Sequence, residues 1–498
     1  MSVRVAWRVS LRLTGITLLY LTVPLAFPLV LAVYYSEPLS PFLVTLIVTL
    51  GLGVGMRAIG DDADLRVREA FLATSLIWFF VAVVGAIPFV VAGDGVTASP
   101  TNALFESMSG ITTTGATVML DFDVHARSVM MWRQLVQWLG GLGILILTTA
   151  VLSEVGVAGA QLVETESWTP TVTKLTPRIA GTARILFGLY AAITALVVLA
   201  LYALYLAGLA PNMSLYNAVA HAFTSVSTAG FSTEPESAGA FTPIVQWVLV
   251  AAMFVGGTSF FLIYLAAVEE LDRFRRNEEF HFYVATVLIA SGLVVAALVF
   301  DRSISYGLEE TVRHAVFNAL SILTTTGYAS TDFDLWSPAA KHVLFTCMFF
   351  GAMVGSTTCS IKLLRWLVVI KTLRRDLFTS IHVDAIRPVR ISSNPIDEET
   401  ITDVYGFVLL SLLFVFGLTV FVVIDAARVG LDISEFEAMS AAASTFLNVG
   451  PAFGIAGPYE SYHAFPRTTK VAMILLMWIG RIEIIPVLVL LTESFWRS

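Results

Sequence analysis

Four short stretches rich in hydroxyl residues, each ending in glycine, are the part of this chain whose residue types could do chemistry. They read Ser109-Gly-Ile-Thr-Thr-Thr-Gly115, Thr224-Ser-Val-Ser-Thr-Ala-Gly230, Ser321-Ile-Leu-Thr-Thr-Thr-Gly327 and Ser444-Thr-Phe-Leu-Asn-Val-Gly450. What they offer is oxygen. Glycine adopts backbone angles denied to other residues, so Gly115, Gly230, Gly327 and Gly450 can turn peptide carbonyls inward. A ring of carbonyl oxygens replaces the hydration shell of a bare cation.

The elements that must position these loops repeat with them. Aligned on the glycine, all four copies carry a hydroxyl residue six places earlier (Ser109, Thr224, Ser321, Ser444) and alanine twelve places earlier (Ala103, Ala218, Ala315, Ala438). A second glycine signal follows each: Gly140-Gly141, Gly256-Gly257, Gly351 and Gly480. The glycines lie 115, 97 and 123 residues apart, too long a period for a solenoid and suited to a whole module used four times. Each unit reads as membrane helix, short descending helix, Thr/Gly loop, membrane helix. Ser/Thr/Gly clusters also serve as small-residue packing faces between membrane helices, but four copies in register weigh against that reading here.

Composition puts the modules in a bilayer. The 498 residues are 57% hydrophobic and 13% charged, with mean hydropathy +0.82, against about 25% charged in soluble chains. Apolar runs of the ~20 residues that cross a bilayer core recur. The first follows Arg4, Arg8 and Arg12 and is read as an uncleaved anchor, being longer than a signal-peptide core. The expected organisation is residues 1–69 with two N-terminal membrane helices (about 13–35 and 41–59), pore modules at 70–153, 154–267, 268–371 and 401–498, and a cytoplasmic linker at 372–400. The joints are basic: Lys174, Arg178 and Arg184; Arg273, Arg275 and Arg276; Lys371, Arg374, Arg375, Arg387 and Arg390. The positive-inside rule places them and both termini in the cytoplasm, with about ten crossings. The loops then enter from the outer face among acidic residues, including Asp94, Glu106, Asp121, Asp123, Glu234, Glu236, Asp332, Asp334, Asp432, Glu435 and Glu437, a setting that concentrates cations.

Two further features stand in the apolar stretches. Arg481, in Met477-Trp-Ile-Gly-Arg-Ile-Glu483, lies inside the last helix, where a charge is expensive and faces a wet cavity or a partner. Gly351-Ala-Met-Val-Gly-Ser-Thr-Thr-Cys-Ser360 is dominated by small and hydroxyl residues and predicts a broken helix or loop. Cys347 and Cys359 would lie ~18 Å apart if that helix were continuous, too far for a disulfide.

Together these residues resemble the Trk/Ktr/HKT superfamily of potassium-uptake membrane subunits, and within it the TrkH type. Leu135-Val-Gln-Trp-Leu-Gly-Gly-Leu-Gly143 resembles the second helix of the family's first module, Pro177-Arg-Ile-Ala-Gly-Thr-Ala183 the start of its second, and Val449-Gly-Pro451 its fourth filter. The two additional N-terminal helices favour the ten-helix type. The resemblance implies an all-α polytopic membrane protein with four pseudo-symmetric helix–pore-loop–helix modules around a central pore. It also implies a homodimer in the cytoplasmic (inner) membrane and a cytoplasmic regulatory subunit of TrkA type that binds nucleotide. This chain itself is expected to hold no cofactor, with potassium as its substrate.

The same resemblance assigns ion coordination to Thr113, Thr114 and Gly115, Thr228, Ala229 and Gly230, Thr325, Thr326 and Gly327, and Asn448, Val449 and Gly450. They would act through main-chain oxygens, which is why Ala229 and Val449 are acceptable. Glycine at Gly115 goes with potassium selectivity in the family, and serine there with sodium. An intramembrane gate loop falls at Gly351, Gly355, Ser356, Thr357 and Thr358, with Arg481 projecting below the filter. The family pattern continues with glycines where Thr358, Cys359 and Ser360 stand.

Other classes are disfavoured. A proton- or sodium-coupled symporter is the alternative, but the four repeats share one polarity and only Glu106 and His221 are candidates for proton-linked work. No metal-ligand cluster, nucleophile–base pair or phosphate loop marks an enzyme. No basic, aromatic-interleaved surface suits nucleic acid. The basic Lys371–Arg390 joint suits either a protein partner or anionic membrane lipid.

Overall fold

The computed structural model describes residues 5–62, 66–147, 179–268, 271–301, 304–392 and 394–497. Arg4, Lys174, Arg178 and part of the 177–183 motif lie outside them.

Helices α1 (Trp7–Leu21), α2 (Ala26–Tyr34) and α3 (Ser40–Ile59) precede the first module. The first expected span is thus two helices, interrupted around Pro24, which has no N–H to continue the ladder. Small residues let α1 and α3 cross closely, since Gly15 lies against the main chain at Gly53. Both helices pack on α4 (Val67–Ala92).

Each module then follows one plan. Long α4 leads to short α5 (Pro100–Ile111) and α6 (Arg127–Leu147). In the second module α7 (Ile179–Leu206) leads to α8 (Leu215–Val226), α9 (Pro243–Gly257) and α10 (Phe260–Ala267). After α11 (Leu271–Arg276), the third runs α12 (Glu278–Phe300), α13 (Leu308–Leu323), α14 (Pro338–Cys347) and α15 (Leu363–Ile381). The fourth runs α16 (Glu398–Val429), α17 (Glu435–Phe446), α18 (Arg467–Arg481), α19 (Ile485–Leu490) and α20 (Glu493–Arg497). A two-residue antiparallel ladder pairs Arg390 with Pro395 and Ile391 with Asn394 in the linker.

Local chemistry sets these limits. Proline at the first turn opens α5, α9 and α14, where its missing N–H costs nothing. Ser434 and Glu437 form a capping box on α17, and left-handed Gly93 and Gly430 close α4 and α16.

Seven segments among the described residues, α1 and α2 counted together as Trp7–Tyr34, are long and apolar enough to cross a membrane, and the α9–α10 pair, bent by 97°, meets the same length and composition as a pair. The remaining expected crossings are the shorter α14 and α18, whose sequences turn to small or charged residues before a full span is reached. Within the ring, the apolar window of α6 is 72% buried against 28% for α7, so α6 lines the interior and α7 faces lipid. The short helices close the circle: α8 packs on α6, α13 on α9, and α5 on α18 of the last module.

Candidate functional site

Each short helix stops four residues before its glycine, at Ile111, Val226, Leu323 and Phe446. The cause is local. The residue two places before each glycine is left-handed, with φ of 52° at Thr113, 50° at Thr228, 51° at Thr325 and 56° at Asn448, and so are the glycines, at 81°, 81°, 79° and 113°. In three loops the N–H groups before and at the glycine turn back onto the carbonyl of the hydroxyl residue six places earlier. Those distances are 2.8 and 3.5 Å to Ser109, 2.9 and 3.4 Å to Thr224, and 2.8 and 3.2 Å to Ser321; Val449 makes the 2.9 Å bond to Ser444. Alternating hands put successive N–H groups on one side of a chain, so the carbonyls face the other.

The four loops form one closed ring. A Cβ on Gly115 would run into the carbonyl oxygen of Ala229, on Gly230 that of Thr326, on Gly327 that of Val449, and on Gly450 that of Thr114, at 2.7 Å. Every glycine is therefore crossed by the main chain of the next loop, and the fourth returns to the first. All four line a single cavity of about 80 Å³. Behind the ring, Gly140, Gly256 and Gly480 let the inner helices touch Ile111, Val226 and Phe446, the equivalent residues of three loops.

Side chains stiffen the loops from outside. The Gln137 amide donates to Ala229 O at 2.6 Å and accepts from Phe231 N at 2.9 Å, bracketing Gly230. Tyr462 donates to Gly450 O at 2.9 Å. Thr112 and Thr114 pair through their hydroxyls at 2.7 Å, as Thr324 and Thr326 do. Asn448 donates to Thr114 Oγ1 at 2.8 Å and Met477 O at 3.0 Å, tying the fourth loop to the first.

On the side of the ring away from the cavity, residues 348–362 form a non-helical loop pressed against the Thr/Gly loops. Thr357 Oγ1 lies 3.0 Å from Thr228 Oγ1. Cys359 N donates to Thr325 Oγ1 at 2.9 Å, and its thiol lies 3.8 Å from Thr113 Oγ1. Buried Arg481 donates to Thr357 O at 3.2 Å, to Gly140 O at 3.0 Å and to Cys359 Sγ. Lys362 folds back onto its own loop, donating to Thr358 O and to Thr358 Oγ1 at 2.8 Å. Left-handed Gly355 reaches the bend between α9 and α10, where its carbonyl accepts from Phe260 N at 2.9 Å.

The structure thus brings all twelve expected filter residues together and places Thr357, Cys359 and Arg481 directly beneath them. Gly355, Ser356 and Thr358 complete the same loop. Gly351 lies in the same loop but differs from the other second glycines of the repeat. It stands at the base of the loop, where its N–H donates to Ile361 O at 2.9 Å and a Cβ would meet Cys359 O, and it has no counterpart of the Gly140 contact. The helix holding Cys347 ends there, so the two cysteines do not share a continuous helix; both are free. Glu483 pairs with Arg365 at 2.6 Å instead of Arg481. Gln137, Lys362 and Tyr462 were missed. A glutamine and a lysine inside apolar stretches were the available signals, but their partners are set by tertiary packing.

Several acidic residues expected around the mouth are structural. Glu106 is buried and takes Arg133 Nε at 2.6 Å, Thr117 Oγ1 at 2.9 Å and Val118 N at 2.9 Å. Asp334 pairs with Lys341 at 3.0 Å and accepts from Gly454 N at 3.0 Å. Glu234 and Glu460 do line the cavity, and burial, opposed by the Asn217 amide, raises the Glu234 carboxyl above the usual range. His221 sits between Asn217 O at 2.8 Å and Ser232 Oγ at 3.0 Å, a buried strut.

Arg133 extends the Glu106 pair to the second loop, donating to Ser232 O at 2.8 Å and stacking 3.5 Å from the Phe231 ring centroid. Removing one member of a buried pair strands the other. Glu106→Ala is expected to cost roughly 3–5 kcal/mol of stability, read as a lowered thermal midpoint of the detergent-purified protein. Loss of less than about 1 kcal/mol, the value of a surface pair, would contradict the strut role.

Residues 40–498 match the family model TrkH, described as a cation transport protein. The chain is 32% identical over 497 residues to the Trk system potassium uptake protein TrkH of Halomonas elongata, covering 99% of both chains. It is 30% identical to the protein of that name from Escherichia coli K12, covering 99% of this chain and 100% of the relative. The crystal structure of the potassium transporter TrkH from Vibrio parahaemolyticus superposes with a TM-score of 0.87 at 27% identity, covering 99% of this chain and all of that one.

Proposed function

Because the chain belongs to the TrkH family of cation transport proteins, we propose that it carries potassium across the cytoplasmic membrane through a channel-like filter. Named relatives of this kind are transport proteins and not enzymes. The closed ring of four left-handed Thr/Gly loops is the observation that carries the reading, because it gathers main-chain oxygens from segments that themselves hold no charged residue. Thr113, Thr114 and Gly115 and their equivalents are the ligands. The 348–362 loop and Arg481 form the gate, since they lie across the path beneath the ring. Membrane potential, ~2.3 kcal/mol per charge per 100 mV, is the driving force.

Regulation fits the far side of the third module. On α15, Leu373, Leu377 and Ile381 lie at four-residue spacing and are exposed, followed by exposed Val383 and Ile386. With Lys371, Arg374, Arg375, Arg387 and Arg390 around them, they support a cytoplasmic face for a TrkA-type nucleotide-binding subunit. We assign the chain to a homodimer with both termini cytoplasmic.

The test is flux from purified protein in vesicles under an imposed voltage with no pH gradient. Potassium-selective flux is expected, and Gly115→Ser is expected to relax selectivity toward sodium. Flux that appears only with a proton or sodium gradient would move the protein to the symporter class. Retained selectivity in Gly115→Ser would remove the first loop from the filter.

A further inference from the structure

A second cavity, of about 660 Å³, opens sideways between α1, α4 and α6. Its walls include Thr17, exposed Tyr20, Ala73, Trp78, Gly143 and, at the end of the first short helix, Ile111. These positions fall along the middle of the Trp7–Tyr34 span and the first half of the Val67–Ala92 span. The cavity therefore lies at the depth of the hydrocarbon and opens toward it.

Water does not suit this space. It would hold about twenty molecules at ~30 Å³ each, and a buried water needs two to four polar partners. The lining is almost wholly apolar, and the Thr17 hydroxyl already donates to Leu13 O at 3.0 Å. An unfilled void of this size forfeits contacts in proportion to its volume. The medium that meets the opening is lipid.

We propose that this cavity binds the acyl chain of a membrane lipid, which braces two parts of the conducting machinery at once. One is Ile111, whose carbonyl is the point where Gly140 meets the first loop. The other is Trp78. Gly143 leaves the Trp78 indole open to the cavity, and the Arg481 guanidinium lies 5.4 Å from the centroid of the same indole. The chain is thus one aromatic ring away from the charge beneath the filter. The lipid site stands on the cavity alone; its effect on flux rests on the pore reading above.

A photoactivatable phospholipid in the reconstituting vesicles, followed by peptide mapping, tests the site without reference to transport. With photolysis after detergent exchange, crosslinks are expected to persist on residues 13–24 and 70–81, while lipid at exposed Leu199 and Leu288 exchanges away and leaves no label there. Ala73→Phe, which fills the cavity, should lose the persistent crosslinks. Gly143→Leu, whose Cβ would sit at an ordinary 3.4 Å from Trp78, should do the same if Ala73→Phe fails to give monodisperse protein. No crosslink on these residues after the exchange, or crosslinks that survive both variants, would overturn the proposal. So would Tyr20→Cys forming a spontaneous disulfide with a second copy, since the neighbour would then be protein. With the site established, the filled variants are expected to change voltage-driven flux; normal flux with lost label would confine the lipid to a structural role.

Discussion

Gly230→Ala is expected to abolish selective potassium flux while leaving a folded, membrane-inserted protein. Gly230 has φ of 81° and a Cβ there would overlap the carbonyl oxygen of Thr326. That oxygen belongs to main chain and is held in place, because Gly327 N, in the same peptide plane, is bonded to Ser321 O at 3.2 Å. The left-handed conformation alone costs alanine about 1–2 kcal/mol, roughly a tenfold loss of the correctly closed ring, and the overlap adds to it. Gly188→Ala on lipid-facing α7, where a Cβ meets nothing within 4 Å, is the control. Equal flux from the two variants at matched protein levels would rule out the ring as the conducting element.

Arg481→Gln is expected to raise potassium flux. The guanidinium is buried and makes no ion pair among the described residues, because Glu483 is committed to Arg365. A potassium ion passing roughly 8 Å from it meets a barrier of ~2 kcal/mol at an effective dielectric of ~20, about thirtyfold in rate. The same side chain also fastens Thr357 and Cys359 of the loop below the ring. Arg481→Lys separates the two effects, keeping the charge and losing the forked contact. If repulsion dominates, only the glutamine variant conducts faster; if fastening dominates, both do. Unchanged flux in both would remove Arg481 from the control of passage.

The repeat was legible because backbone geometry leaves a mark on residue type. A left-handed turn crossed by another main chain strongly favours glycine, so Gly115, Gly230, Gly327 and Gly450 declared the ring, and Gly140, Gly256 and Gly480 declared the helices behind it. The break after Cys347 was legible for a related reason, since small and hydroxyl residues do not sustain an apolar span. Partners were a different matter. Arg365 and Glu483 are 118 residues apart, and Gln137 and Ala229 are 92 apart; no local spacing announces such pairs. Gly351 misled because its place in the repeat matched the other three, whereas the loop that follows had taken over the contact. Acidic residues at the mouth misled similarly: Glu106 and Asp334 are spent on Arg133 and Lys341.

The ring closes within one polypeptide, and this has a genetic consequence. In a pore of four identical subunits one codon change is imposed on every quadrant, and mixed expression yields hybrid pores. Here each quadrant has its own codon, so Thr114, Ala229, Thr326 and Val449 can differ at equivalent positions, and selection can adjust one quarter of the ring at a time. Two alleles in one cell would build two kinds of ring and no hybrids. A defect in one loop should then leave rings built from the normal allele intact, with flux following the dosage of that allele.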